Sequence, residues 1–345
     1  MKELWQDVES KYATLFKEQQ LTSVSSQELG ASQESLPDLK YRIMPVIAKA
    51  NDDLRQEVMA MQLMRRVKGV FEGRGETGLW LRPYEIMVTS GSAGFIEFIP
   101  DTISVDQLKK KFPRDAGWTL LTYYEKRYGD LHFKEAQINF IQSLAAYSLF
   151  NYLFNVKDRH NGNILLDAEG HLLHIDFGFM LQSSPGNFNF ETAPFKLTQE
   201  YLQLMDQPSY AEDGRMVDSQ EYQYFKSLIV KGLLILYECF ESEGISNIIE
   251  VMLLLRGGTM PSLGLQYAGD MPDCIKNSQT VLSEIRTRLT APKLSQYLKA
   301  PGANQNEAKY RAYIEYVELL IKKSTSSWAT SNYDRYQAIT NGIEK

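Results

Sequence analysis

The stretch VKDRHNGNILLDAEGHLLHIDFGF, residues 156–179, gathers acids, bases, an Asn and a DFG triplet around two short apolar runs. The runs NILL and HLLHI are strand-like, and DAEG between them has the composition of a turn, so the segment reads as a β-hairpin. This reading puts Asn163 and Asp176 at the two open ends of one hairpin, facing each other. Their side-chain oxygens are hard donors suited to Mg²⁺, which takes one or two protein oxygens and leaves the rest of its shell to water and phosphate.

Asp158 precedes Asn163 by five positions, the interval between Asp and Asn in the protein-kinase loop H-R-D-x-x-x-x-N, and the DFG of residues 176–178 completes that set. Each piece alone recurs by chance; in this order, with a hairpin between them, they are specific. A phosphotransferase also needs a cation on the triphosphate, an acid on a neighbouring helix and a linker whose backbone can hold adenine. Lys49 ends the run KYRIMPVIAKA, a strand that Pro45 demotes to an edge or a bulge. Asp53 and Gln56 form a capping-box pattern, and Glu57 falls in the helix they open over LRQEVMAMQLMRRVKGVF. LWLRPYEIMVTS, the turn GSAG and FIEFIP read as a second hairpin, with the linker at IEFIP, residues 96–100. Leu4, Trp5, Val8, Tyr12, Leu15 and Phe16 recur at helical spacing, residues 21–37 read as a polar loop, and beyond about residue 100 the helical pattern dominates.

Composition excludes other classes. The chain has 345 residues, 43% of them hydrophobic, enough for a full core divided between two lobes. With 37 Lys and Arg against 43 Asp and Glu, the net charge of −6 argues against a nucleic-acid partner. Cys239 and Cys274 form neither a CxxC pair nor a cluster with His, so no disulfide framework or zinc site is expected and a reducing, intracellular setting fits. The most apolar stretch, SLIVKGLLILYECF, is interrupted by Lys231 and falls short of the roughly 20 residues of a spanning helix. No signal peptide is recognised.

The order VIAKANDDLRQE, IEFIP, KDRHNGNILL, HIDFGF resembles the phosphatidylinositol 3- and 4-kinase superfamily, in which Asp-Arg-His replaces His-Arg-Asp. Lys157, SSPGNFNFETAPFKLT after the DFG and the ending SNYDRYQAITNGI are most similar to the beta branch of the type III phosphatidylinositol 4-kinases. The resemblance implies an α+β, two-lobed protein-kinase-like fold. Residues 1–36 would be an N-terminal helix and polar loop. Residues 37–99 would form a small lobe with an antiparallel sheet, ending in the hinge, and residues 100–345 a larger, mainly helical lobe.

It also implies an activity: transfer of the ATP γ-phosphate to the 4-hydroxyl of phosphatidylinositol, with ATP and Mg²⁺, or Mn²⁺ in its place. Lys49 would contact the α-phosphate with Glu57 orienting it. Tyr84 would back the adenine pocket, with Glu97, Phe98 and Ile99 as hinge and Ile175 beside the nucleotide. Ser32 and Ser35 of GASQESLP would cover the phosphates, and Asn163 and Asp176 would hold the metal. Asp158 and His160 match the catalytic loop. His160 is the favoured base because a neutral imidazole near pH 7 can accept a proton. Lys157 is placed to reach the γ-phosphate. Lys196 is the first cation after Asp176 and a substrate contact, and its isolation suits an unphosphorylated inositol ring. Arg159, His171 and His174 read as structural, Asp52 and Asp53 as helix caps, and Phe188, Phe190 and Phe195 as packing. Tyr310, Tyr313, Ile314, Val317, Leu320 and Ile321 form a core-facing helical stripe, and Trp328, Tyr333 and Tyr336 either pack or anchor at a membrane. The implied setting is cytoplasmic and peripheral to membranes, the Golgi among them. Phosphatidylinositol is the implied partner, with regulatory proteins and small GTPases binding regions outside this chain. A PI3-kinase-related protein Ser/Thr kinase and a nucleotide-binding pseudokinase scaffold are the competing readings.

Overall fold

The computed structural model describes residues 10, 45–112, 117–181, 193–242, 246–247, 249–250, 271–299, 304–325 and 342–343. The expected N-terminal helix and polar loop, with Ser32 and Ser35, lie almost wholly outside these residues, as do Phe188, Phe190, Trp328, Tyr333 and Tyr336.

The first sheet is antiparallel in the order β1-β3-β2, with β1 Val46–Ala50, β2 Ile86–Ser90 and β3 Ala93–Glu97. The β-branched run after Pro45 forms β1, and it lies at the sheet edge, one of the two placements expected with Pro45. Lys49 pairs with Gly94. A Cβ at Gly94 would lie 2.5 Å from the Met87 carbonyl oxygen and 2.8 Å from Leu54 Cδ1, so the strands close over the helix behind them only because that side chain is absent. This helix, α1 Arg55–Gly73, buries Met59, Ala60, Leu63, Met64, Val67, Val70 and Phe71 at helical spacing. The capping box expected at its start does not form. Asp53 accepts from the backbone and side chain of Arg55, Asp52 pairs with Lys49 at 2.8 Å, and Gln56 reaches out of the helix instead.

After the linker, β4 Ile103–Ser104 leads into α2 Val105–Lys111, capped by Ser104 Oγ accepting from the Gln107 N–H at 3.1 Å. The second sheet is β4-β5-β6, with β5 Ile164–Leu166 and β6 Leu172–His174 as the hairpin read from the sequence; Ile164 pairs with His174. The DAEG turn seats on α3 Leu120–Leu153, which is interrupted at Gly129. Gly170 has φ +94° and would drive a Cβ to within 2.8 Å of Ala136, and its carbonyl accepts from the Tyr124 hydroxyl at 2.8 Å.

Nearly every residue of α3 from Phe140 to Phe150 is buried, because it is covered both by the hairpin and by α5 Gln220–Ser242, which follows the short α4 Gln199–Leu204 and the ribbon β7 Ser209–Tyr210, β8 Met216–Val217. Leu149 and Gly232 mark the α3–α5 contact: a Cβ on Gly232 would stand 2.3 Å from Leu149 Cδ1. The helices α6 Met271–Leu289, α7 Leu294–Leu298 and α8 Gln305–Thr325 follow among the described residues. In α8, Tyr313, Val317, Leu320 and Ile321 of the expected stripe are buried, whereas Tyr310 is exposed. Phe195 is buried, in line with packing. The architecture is the two-lobed α+β kinase-like fold expected. Among the described residues no helix is long and apolar enough to cross a membrane.

Candidate active site

Between the two sheets lies a cavity of about 350 Å³, within the range typical of small-molecule sites. Nine of the anticipated residues line it: Lys49, Glu57, Tyr84, Glu97, Phe98, Ile99, Asn163, Ile175 and Asp176. Ile47, Ile96 and Leu165 add apolar surface suited to a flat base. Single-sequence reading placed Ile96 in the linker stretch but passed over Ile47 and Leu165, because nothing separates an apolar residue facing a cleft from one facing a core.

The lower wall is built by local geometry. After α3, Asp158 sits at φ +66°, a left-handed conformation strained for any residue with a side chain, and Asp176 sits at φ +59°. Residues Asn161–Asn163 form one 3₁₀ turn, so the Asp-x4-Asn interval is the length of a single tight loop. Asn163 Nδ2 donates to the Asp158 carbonyl at 3.0 Å, which commits the amide nitrogen to the loop and turns its oxygen the other way. Across the hairpin mouth the Ile175 N–H donates to the Asn163 carbonyl at 3.1 Å. Asn163 and Asp176 therefore converge as read from the sequence. An amide oxygen and a carboxylate on one cavity wall fit a hard divalent cation that keeps most of its shell for water and phosphate.

Arg159 holds this turn together. Its guanidinium donates to the carbonyls of Lys157 and Ile175, each at 2.9 Å, and of Asp176, and lies 5.3 Å from the Phe177 ring centroid. It is structural, as expected, but through carbonyls. Gln56 of α1 donates to the carbonyls of Phe177 at 3.1 Å and of Gly178, so the upper-lobe helix is bonded directly to the DFG turn.

The upper wall differs from expectation in one respect. Lys49 and Glu57 form no direct ion pair: the Lys49 ammonium is on Asp52, and Glu57 accepts a hydrogen bond from the Tyr84 hydroxyl. Burial of Glu57 pushes its carboxyl above the usual range, the Tyr84 hydrogen bond opposing this. Burial pulls the Lys49 ammonium down, but its bond to Asp52 and the nearby Glu57 and Asp176 outweigh that, and its pKa is raised.

In the hinge, two N–H groups are already used. The Glu97 N–H donates to Glu85 at 2.8 Å and the Phe98 N–H to Pro45 at 3.1 Å, while the Ile99 carbonyl accepts from the Thr102 hydroxyl. Of the expected hinge donors, the Ile99 N–H is the one with no bond to another described residue. The Glu97 side chain is spent on Arg82 at 2.5 Å.

Of the described residues anticipated for the site, Asp158, His160, Lys157 and Lys196 are not in the cavity wall. His160 Nδ1 accepts from the Gly162 N–H at 3.1 Å, so the neutral ring carries its proton on Nε2, 3.9 Å from the Asp158 carboxylate. Burial lowers the His160 pKa below 6.5, against the opposing pull of Asp158, and the ring is neutral at pH 7. Lys196 is buried with its ammonium on the Arg159 carbonyl at 3.0 Å and Asn161 Oδ1 at 3.1 Å. Through these bonds it braces the loop that carries Asp158. Lys157 lines a different cavity from the nine residues above. His171 and His174 are structural: the first bonds Asp167 at 2.9 Å and stacks on Trp80, and the second contacts Asn151 at 3.2 Å and stacks on Tyr147.

The fold and cleft are those of a protein-kinase-like domain. Within that class the chain belongs to the phosphatidylinositol 3- and 4-kinase family, whose model matches residues 43–242. It is 40% identical over 306 residues to a phosphatidylinositol 4-kinase of Dictyostelium discoideum, covering 88% of this chain and 22% of that protein. Over 305 residues it is 39% identical to phosphatidylinositol 4-kinase beta 1 of Arabidopsis thaliana, covering 88% and 24%. Over 340 residues it is 35% identical to phosphatidylinositol 4-kinase beta of Danio rerio, covering 98% and 35%. The chain thus spans about a quarter to a third of the length of these relatives.

Proposed function

We propose that this domain is an ATP-dependent phosphatidylinositol 4-kinase. The observation that carries the reading is the convergence of Asn163 and Asp176, from opposite ends of one hairpin, on a cavity whose far wall carries Lys49, in a chain similar to proteins named phosphatidylinositol 4-kinases. Adenine lies between Ile47, Ile96, Leu165 and Ile175 with the Ile99 N–H as donor, and Lys49 leaves Asp52 to meet the phosphates. Asn163 and Asp176 would hold Mg²⁺ or Mn²⁺, which would supply positive charge to the phosphates. Ser32 and Ser35 cover the phosphates by resemblance alone.

The inositol 4-hydroxyl oxygen attacks the γ-phosphorus in line as the bond to the β-bridging oxygen breaks, giving the phosphomonoester and ADP. The hydroxyl proton goes to Asp158 and His160 acting together. His160 has its Nδ1 lone pair on Gly162 and its Nε2 proton toward Asp158. It can accept a proton only by releasing Gly162 or by passing the Nε2 proton to the carboxylate, so the expectation of His160 alone becomes a proposal for the pair.

The site of action is the cytoplasmic surface of membranes, including the Golgi, reached through regulatory proteins or small GTPases that bind outside this chain; both points rest on resemblance. The test is to offer labelled ATP and Mg²⁺ with phosphatidylinositol vesicles and a generic protein substrate. Label in phosphatidylinositol 4-phosphate supports the reading, and label in protein alone moves the chain to the protein-kinase alternative.

A further inference from the structure

The chain just before α4 is seated on two sides. Ala193, Phe195, Lys196 and Leu197 are all buried. The Phe195 N–H donates to Ser324 Oγ of α8 at 3.4 Å, and Thr198 caps α4 by accepting from the Tyr201 N–H at 3.3 Å. Lys196 stands in this run at 5% exposure. An ammonium taken out of water must be met by oxygens placed for it. Lys196 Nζ meets the Arg159 carbonyl at 3.0 Å and Asn161 Oδ1 at 3.1 Å. These two residues stand immediately before and after His160, so one cation grips the chain on both sides of the imidazole.

The ring itself has little room. Its Nδ1 accepts from the Gly162 N–H, and a Cβ at Gly162 would lie 3.0 Å from both Nδ1 and Cε1, so glycine there leaves space for the imidazole. The His160 carbonyl accepts from the Asn163 N–H at 2.9 Å, and Nε2 lies 3.9 Å from the Asp158 carboxylate. A shift of the Arg159–Asn161 backbone would break these contacts together, and a misplacement of about 1 Å costs a reacting group roughly a hundred-fold in rate.

We propose that Lys196 is a positioning residue for phosphoryl transfer: by holding the Arg159 carbonyl and the Asn161 side chain, it fixes the His160 imidazole over Gly162 in the tautomer that turns its Nε2 proton toward Asp158. The inference rests on the reading of Asp158 and His160 as the pair that receives the hydroxyl proton. An ammonium suits the task, because its donors diverge from one atom and meet two oxygens at an angle, whereas a guanidinium fork is planar. Since Phe195 beside it is bonded to Ser324, the brace also ties the catalytic loop to α8.

Two measurements test this, one of them without turnover. In protein carrying isotope-labelled histidine, the chain's 4 histidines give few enough ring signals to assign His160 by its loss in His160→Gln. At about pH 8, where the ring is neutral, the nitrogen shifts of wild type should be those of one fixed Nε2–H tautomer. Lys196→Met should move them toward the averaged values of a ring that exchanges tautomers. In parallel, phosphorylation of phosphatidylinositol vesicles by Lys196→Met should show kcat lower by about ten-fold or more with KM for ATP unchanged. Asn161→Ala, which removes one of the two oxygens, should act in the same direction to a smaller extent. Melting temperature is the folding control, and if Lys196→Met does not fold, Asn161→Ala carries both comparisons. A wild type without the single tautomer, or ring signals unchanged in the folded variants, overturns the proposal. So does an unchanged kcat with a raised KM for phosphatidylinositol, which would make Lys196 a substrate contact. A wild type that labels no lipid counts against the kinase reading, while the ring signals still decide whether Lys196 fixes His160.

Discussion

Arg159 donates from Nη1 to the carbonyl oxygen of Ile175 at 2.9 Å, tying the catalytic loop to the strand that ends in the DFG turn. Together with its bonds to Lys157 and Asp176, this places one buried guanidinium at the junction of the two segments that carry Asp158 and Asp176, both in strained left-handed conformations. Arg159→Ala is expected to cost about 3 kcal/mol of stability, since hydrogen bonds made by charged groups are worth roughly 1.5–3 kcal/mol each. Arg159→Lys, one point charge in place of a fork, should restore little of it. Denaturant unfolding measures both; a loss below about 1 kcal/mol in the Ala variant would contradict the clamp.

Gln56 gives a second link to the same turn, from the upper lobe. Gln56→Ala removes the donor to the Phe177 and Gly178 carbonyls. It should lower kcat by about ten-fold or more while changing KM for ATP little, because the side chain orients the turn and does not line the nucleotide cavity. A change confined to KM would place Gln56 in nucleotide binding instead.

On the proposed function, Lys49, now paired with Asp52, exchanges it for phosphate when nucleotide enters. Asp52→Asn removes the competing carboxylate, and an exposed pair of this kind is worth at most about 1 kcal/mol. The expected result is a KM for ATP lower by about two- to five-fold, with kcat unchanged. An increase in KM would mean that Asp52 helps the bound state.

His174 is buried and its pKa lies well below 6.5, chiefly through burial, with the nearby Arg159 and Lys196 charges adding to it; His160 is lowered in the same sense. The unfolded chain therefore takes up protons at these positions that the folded chain refuses. Stability is full above about pH 6.5 and falls as pH drops below it. Urea unfolding at about pH 7.5 and about pH 5.5 should show this loss, smaller in His174→Gln than in wild type. Equal losses in the two proteins would remove His174 from the account.

The turn bearing the acids was legible because its signal is local: Asp158 to Asn163 is one tight loop, and a two-stranded hairpin returns the chain to Asp176. Lys49 and the hinge were legible through their order along the chain, and Tyr84 through the family resemblance. What spacing could not show is where a side chain points once distant segments meet. Asp53 and Gln56 have the pattern of a helix cap, but a carbonyl 121 positions away claims Gln56. Lys196 and Lys157 flank the acids in sequence; one turns into the loop and the other into a separate cavity. The partner of a cation is decided by tertiary packing, on which local pattern is silent.

The central claim is that Asp176 and Asn163 serve phosphoryl transfer from ATP to phosphatidylinositol. It is tested most directly by comparing wild type and Asp176→Asn for incorporation of label from γ-labelled ATP into phosphatidylinositol vesicles, alongside nucleotide binding. The account predicts labelled phosphatidylinositol 4-phosphate from wild type, lost by about a thousand-fold or more in a variant that remains folded. Equal incorporation by the two proteins, or none from a wild type that binds ATP, would contradict it.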